Sequence, residues 1–322
     1  MLKEKNENSY IKQFYSLGTI NALKAFGANS KEAVEAAEQC IYDIDDKMSV
    51  FKDTSEVSKI NMKAGKAAQK VSKETYEVIK RAVYYSELSR GGFNPLLRPL
   101  LDLWGFGRKN KRVPEEWEIK EKLKLADYRD IKLDDKNISV ELLKKGEALD
   151  LGAIAKGYAA DMVVKIFKDF KISSGMIDLG GNIYAYGSKE NGDSWNIGIQ
   201  DPFGKQGEFI GIVAIKDKSI VTSGNYERYF EINGKRYHHI MNAKSGYPSE
   251  GIVSATIISD KSMDGDGLTT VCYTSGIEDS LALLKNYEDV EGIFITEDKK
   301  MYITEKLKKS FILVNNQYSY GI

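Results

Sequence analysis

Cysteine and histidine are both scarce, with two of each in 322 residues. Cys40 and Cys272 lie far apart, in no metal-ligand spacing, and each falls in an apolar helical pattern. Two buried free thiols are therefore expected, not a disulfide. Net charge is missing as well: Lys+Arg and Asp+Glu number 47 each. A chain without a basic excess is a poor nucleic-acid binder, so no nucleic acid is expected as a partner. No uncharged apolar window approaches the length that spans a bilayer, which excludes a transmembrane segment from this chain. The opening MLKEKNENSY has neither the apolar core nor the small-residue cleavage site of a leader. A cytoplasmic location is the expectation; a leader trimmed away would put the protein outside, at the membrane. Low-complexity tracts, flexible linkers and short repeats are absent too.

What is present alternates strands and helices. Residues 9–27 read as a strand pair broken at Leu17-Gly18-Thr19. Ser30 is placed as the N-cap of a helix through about Lys47, with Val34, Ala37, Ile41, Ile44 and Met48 on one stripe. A second helix runs from Ser72 to about Ser89 and stops at Gly91-Gly92. PLLRPLLDLWGFG carries two prolines in a dense apolar run, so it packs as a short helix or a loop. Residues 111–146 are the most charged and read as a polar insertion around EEWEIKEKLKLA. A helix is expected from Asp150, with Ile154, Tyr158, Met162 and Ile166 at four-residue spacing, and another from Asp266. Between and after them come short antiparallel-looking strands: GMIDLGG, NIYAYG, SWNIGIQ, EFIGIVAIK, VSATIIS and GIFITEDKKMYIT. Such runs punctuated by helices make the fold α+β, not a doubly wound parallel sheet.

Both histidines fall in VTSGNYERYFEINGKRYHHIMNAKSGYP, residues 221–248. Asn233-Gly234 between alternating runs signals a type I′ hairpin. Counting back pairs Phe230 with Tyr237, Tyr229 with His238 and Arg228 with His239. A fixed cation beside an imidazole favours the neutral ring, the form that accepts a proton. Taken alone, the hairpin also fits a snorkelling Arg228 and a hydrogen-bonded structural His239, and that plainer reading is favoured there.

Three loop-to-helix junctions also stand out. ALDLGAIAKGYAAD (148–161) puts Gly152 before free helix N–H groups, with Lys156 one turn in: an anion site or an ordinary turn capped by Asp150. It is not a Walker A loop, since Lys156 precedes Gly157. SMDGDGLTTV (262–271) fails as an EF-hand because the twelfth position from Asp264 is Ser275. Asp266 and Thr270 remain, four apart on one helix face, a hard oxygen pair suited to Mg²⁺ or a capping aspartate in solvent. GGFNP (91–95) frees the backbone before a proline turn in which Asn94 bonds a ring edge or the turn itself.

In this order, the motifs resemble the ApbE family, the FAD:protein FMN transferases. The likeness covers LGT (17–19), MSVFKDTSEVSKIN (48–61), GGFNPLLRPLLDLWGFG (91–107) and LDLGAIAKGYAAD (149–161). DLGGNIYAYG (178–187), WNIGIQDP (195–202), the histidine hairpin and MDGDGLTT (263–270) continue it. The resemblance implies an α+β, T-fold-like arrangement of helices and antiparallel sheets, with two intimately packed halves and the site in a cleft between them. It implies one domain over 9–315 after a short polar tail, 1–8. It implies Mg²⁺ held by the Ala153 backbone, Asp266 and Thr270. FAD, the substrate, would meet Leu17, Phe51, Phe93, Asn94, Pro95, Asp150, Lys156 and the backbone at Ile240. His239 would be the general base, with Arg228 and Lys156 assisting.

The implied activity is a protein-flavinylating transferase: a Thr or Ser hydroxyl of an acceptor attacks FAD, forms a phosphoester to FMN and releases AMP. RNF-type or NQR-type redox subunits would be the acceptors. The alternatives are a Mg²⁺-dependent FAD pyrophosphatase giving FMN and AMP, and a flavin-binding protein without turnover. The chain departs from the family pattern at Asn94, where aspartate is common, at Asn242-Ala243, at Ser245 and at Gly265, where alanine is typical.

Overall fold

The computed structural model describes residues 9–107, 110–189 and 191–321; the expected tail at 1–8 lies outside them. The chain opens with the hairpin β1 (Ser9–Ser16) and β2 (Thr19–Phe26), then α1 (Ser30–Met48), α2 (Glu56–Met62), β3 (Gln69–Lys70) and α3 (Lys73–Leu88). Next come α4 (Arg98–Trp104), α5 (Glu116–Leu123), β4 (Ile131–Asp134), β5 (Ser139–Leu142) and α6 (Ala155–Asp169). The strands β6 (Ser174–Leu179), β7 (Asn182–Tyr186), β8 (Trp195–Gln200), β9 (Phe209–Ile215) and β10 (Lys218–Gly224) follow. A hairpin of β11 (Tyr229–Ile232) and β12 (Lys235–His238) precedes β13 (Ser254–Ser259), α7 (Ser262–Ser275) and α8 (Ile277–Leu284). The chain closes with β14 (Glu291–Ile295), β15 (Lys300–Ile303), β16 (Phe311–Leu313) and β17 (Ser319–Tyr320).

The fold is α+β. One nine-stranded sheet, ordered β1-β2-β6-β7-β10-β13-β14-β15-β17, gathers strands from both ends of the sequence. Its pairings are antiparallel until the last, β15 with β17, which is parallel. Alternation along the strands splits two cores between its faces. On one face Leu23, Ile177, Ile257 and Phe294 meet the buried sides of α1, α6 and α7. On the other, Ile220, Ile258, Ile293 and Ile295 meet Ile197, Ile210, Val213 and Phe311 of the smaller β16-β9-β8 sheet. A third cluster joins Leu100, Trp104, Phe106 and Ile119 to Met241, with Phe230 and Tyr237, stacked on each other, packed against it. Trp104 Nε1 donates to the Gly246 carbonyl at 3.0 Å, so α4 holds both the β11–β12 hairpin and the loop after it.

Turn chemistry set the local breaks as expected. Asn233 (φ 52°) and Gly234 (φ 74°) close β11–β12 in the anticipated register, Tyr229 opposite His238 and Phe230 opposite Tyr237. Leu17 (φ 53°) and Gly18 (φ 72°) make the same tight turn between β1 and β2. The α1 stripe is buried as anticipated, though Asn29, not Ser30, occupies the N-cap and no side chain caps it. Ser72 does cap α3, accepting from Thr75 N. Cys40 is half-buried and Cys272 buried, both free.

Three further expectations need correction. The helix anticipated from Asp150 starts at Ala155, because Asp150 Oδ1 accepts from Gly152 N at 2.8 Å and holds residues 150–154 in a turn. The helix anticipated from Asp266 starts at Ser262, where Asp161 receives Ser262 N and Met263 N, so Asp266 sits a turn inside α7. The polar insertion also contains β4 and β5, which pair with β3 in a small sheet. Among the described residues no helix is long and apolar enough to cross a membrane.

The crossing of α6 and α7 is a tight contact beside the cleft. A Cβ on Gly157 would lie 2.3 Å from the Ser262 carbonyl oxygen and 2.6 Å from Met263 Cα, neither of which can swing away. Gly157→Ala should therefore destabilise the fold by about 1–3 kcal/mol, as overpacking does. The shift in urea midpoint measures it, and an unchanged midpoint would show that the helices are free to separate.

Candidate active site

A cleft of about 370 Å³ opens where α6 and α7 begin. Its walls come from the β1–β2 turn, the GGFNP loop, the turn before α6, the end of β10, and the open end of the β11–β12 hairpin. Asp266 and Thr270 enter from α7, one turn apart on the side facing the cleft. Asp266 is buried, and its Oδ2 accepts from Gly157 N at 2.9 Å. Its Oδ1 stands 3.6 Å from Lys156 Nζ, which also donates to the Gly152 carbonyl at 3.3 Å.

The Gly157 bond has a second effect. In a regular helix that N–H would bond the carbonyl four residues back, at Ala153. Diverted to Asp266, it leaves the Ala153 oxygen without a backbone donor among the described residues, at the cleft wall. The Thr270 hydroxyl likewise has no hydrogen-bond partner among them. A carboxylate oxygen, a hydroxyl and an orphaned carbonyl are hard oxygen donors, the chemistry that fits Mg²⁺. No group of three or more His, Cys, Asp and Glu is gathered among the described residues, so a cation here would depend on that mixed set.

His239 reaches the cleft as the hairpin register anticipated, abreast of Arg228: its backbone N donates to the Arg228 carbonyl at 3.1 Å. The same carbonyl lies 3.3 Å from His239 Nδ1. A carbonyl only accepts, so Nδ1 carries the proton and Nε2 keeps its lone pair. Burial, then the Arg228 charge, pushes the ring's pKa down to about 3, which keeps it neutral. His238 points the other way. Its Nε2 lies 3.0 Å from the Ser249 carbonyl and burial lowers its pKa to about 4.

The structure brings Phe93, Asn94, Pro95, Asp150, Ala153, Lys156, Arg228, His239, Ile240, Asp266 and Thr270 to this one cleft. Leu17 and Phe51 are placed elsewhere. Leu17 packs against the main core, and its neighbours Gly18 and Thr19 line the cleft instead. Phe51 is 65% exposed in a separate cavity, its ring 4.7 Å from the Arg98 guanidinium. Arg98 connects the two cavities, since its Nη1 is 3.3 Å from Asp150 Oδ2. Asn94 is a turn and a strap: Oδ1 accepts from Leu96 N at 2.9 Å and Nδ2 donates to the Ala126 carbonyl at 2.6 Å. The Ile240 carbonyl accepts from Ser249 N. At Gly265 a Cβ would stand 2.8 Å from Ser259 Oγ, which gives a steric reason for glycine in this chain.

Residues 17–294 match the ApbE family. This chain belongs to that family. Among curated relatives of this ApbE chain, the FAD:protein FMN transferase of Treponema pallidum (strain Nichols) is 36% identical over 305 residues, 88% of this chain and 84% of the relative. That of Klebsiella pneumoniae (strain 342) is 36% identical over 281 residues, 87% of each. The crystal structure of the ApbE protein from Thermotoga maritima gives a TM-score of 0.88 at 34% identity, covering 94% of this chain and 99% of the other. The flavin transferase ApbE from Vibrio cholerae gives 0.83 at 25% identity with the same coverage.

Glu227, Thr222 and Ser223 also line the ApbE cleft, and sequence reasoning passed over them. Glu227 stands next to Arg228 in a segment without periodicity, so only its adjacency to the hairpin's open end pointed there.

With two histidines, the ring assignments are directly readable by ¹⁵N NMR. Both should remain neutral from pH 8 to 5.5, His239 protonated on Nδ1 and His238 on Nε2. Titration of either near its ordinary 6.5 would contradict the burial described. The sign for stability follows. The unfolded rings bind protons first, so the contribution of the two rings is full above about pH 6.5 and is lost as pH falls below it.

Proposed function

We propose that this protein is an FAD:protein FMN transferase that uses the cleft at the starts of α6 and α7. The observation that carries the reading is the Asp266, Thr270 and Ala153 oxygen set beside Lys156, with a neutral His239 presenting Nε2 to the same cleft. The relatives named as FAD:protein FMN transferases support the substrate and the kind of acceptor.

In this reading the diphosphate of FAD lies over the turn at residues 152–156. Lys156 Nζ and the two N–H groups of that turn without a partner among the described residues, those of Ala153 and Lys156, face the phosphates. Phe93, Pro95 and Ile240 supply apolar wall on either side. A Thr or Ser hydroxyl of the acceptor attacks the phosphorus on the FMN side. The bond from that phosphorus to the bridging oxygen breaks, and AMP leaves with the oxygen. The hydroxyl proton passes to His239 Nε2, whose proton affinity rises once the anionic diphosphate enters the cleft. Mg²⁺, when bound by Asp266, Thr270 and the Ala153 carbonyl, neutralises charge on the diphosphate. RNF-type or NQR-type redox subunits are the proposed acceptors.

Incubation with FAD, Mg²⁺ and an acceptor subunit should move flavin fluorescence into the acceptor band on a denaturing gel. Chelation should stop it. His239→Ala should slow transfer by ~10²–10⁴-fold while FAD still binds; transfer at the wild-type rate would remove His239 from the chemistry. FMN and AMP released without acceptor labelling would make the protein a pyrophosphatase, and stable retention of intact FAD would make it a carrier.

A further inference from the structure

Arg98 has no part in the chemistry above, and it lines the cavity beside the cleft, not the cleft itself. Its side chain is only 12% exposed, set between two carboxylates with the Phe51 ring over the guanidinium. Nη2 donates to Asp102 Oδ1 at 2.6 Å, and Nη1 donates to Asp150 Oδ2 at 3.3 Å. Asp150 is the member of this group that reaches the cleft. Its Oδ1 accepts from Gly152 N, and its backbone N donates to the Pro95 carbonyl at 2.8 Å. Both oxygens of the carboxylate are thus engaged, one by the turn before α6 and one by Arg98.

The turn that Asp150 closes is the one over which the transferase reading lays the diphosphate of FAD. A carboxylate without a counter-charge at that place would repel the phosphates, and protein covers most of it from screening water. Two cations line the cleft, but Asp150 pairs with neither: Lys156 stands 3.6 Å from Asp266, and Arg228 lies beside His239 on the hairpin. The cation that Asp150 does pair with is Arg98, from behind the cleft wall. We propose that Arg98 is a positioning residue for FAD, acting through Asp150. It cancels the charge that this carboxylate would show to the diphosphate. It also leaves Oδ1 fixed on Gly152 N, so the turn keeps its phosphate-facing shape. The inference rests on the transferase reading for the place of the diphosphate and adds a residue to its flavin side.

The test measures FAD affinity, by quenching of flavin fluorescence with Mg²⁺ present, for wild type and three variants. Arg98→Gln keeps an N–H donor without the charge, and its FAD affinity should fall by about tenfold. Arg98→Lys keeps the charge but loses the fork that joins two carboxylates, so it should lie between the two. The double variant Arg98→Gln, Asp150→Asn should recover to within about threefold of wild type, because an amide at 150 still accepts from Gly152 N and carries no charge. Added salt should narrow the gap between Arg98→Gln and wild type. An unchanged FAD affinity in Arg98→Gln would overturn the proposal. So would a loss that the double variant does not recover, which would give Arg98 a role in the fold alone. If the wild type binds no FAD, the transferase reading itself fails and this inference with it.

Discussion

The amide of Gly157 bonded to Asp266 Oδ2 is the contact on which the cleft depends. It draws α6 against α7 so closely that the first helix presents no side chain at the crossing. It fixes one oxygen of a buried carboxylate and leaves the other toward Lys156. By leaving its own helix, that amide also exposes the Ala153 carbonyl. One displaced hydrogen bond thus prepares two oxygen donors from elements more than a hundred residues apart, and the nine-stranded sheet beneath keeps both helices in place.

The opposite wall is held differently. The β11–β12 hairpin is a small, two-stranded sheet that would be marginal alone. Its inner aromatics, Phe230 and Tyr237, pack on Trp104, whose indole N–H is tied to the loop beyond the hairpin. That packing lets a hairpin end serve as a rigid support for His239. The Arg228 carbonyl, accepting from both the backbone and the ring of His239, fixes the tautomer as well as the position.

Local chemistry was legible from the residues wherever it decided the outcome. Asn233-Gly234 determined the hairpin register, and through it the placing of Arg228 beside His239. The α1 stripe followed from apolar spacing alone. The start of α7 is decided by a distant partner, Asp161 on another helix, whereas that of α6 is decided locally, by the Asp150 side chain closing a turn on Gly152 N where a helix N-terminus was expected. The same limit hid Glu227. Nothing in its neighbours along the chain distinguishes a carboxylate facing a cleft from one facing bulk water. Phe51 lies apart from its expected company because Arg98 stands between its cavity and the cleft.

Asn94 carries one further consequence. Its amide strap reaches across to the Ala126 carbonyl, binding the charged insertion to the loop that forms the cleft rim. A carboxylic acid in that place joins a carbonyl only while it holds a proton, so the fastening would slip at neutral pH. An amide has no such dependence, so this one fastening of the rim does not titrate.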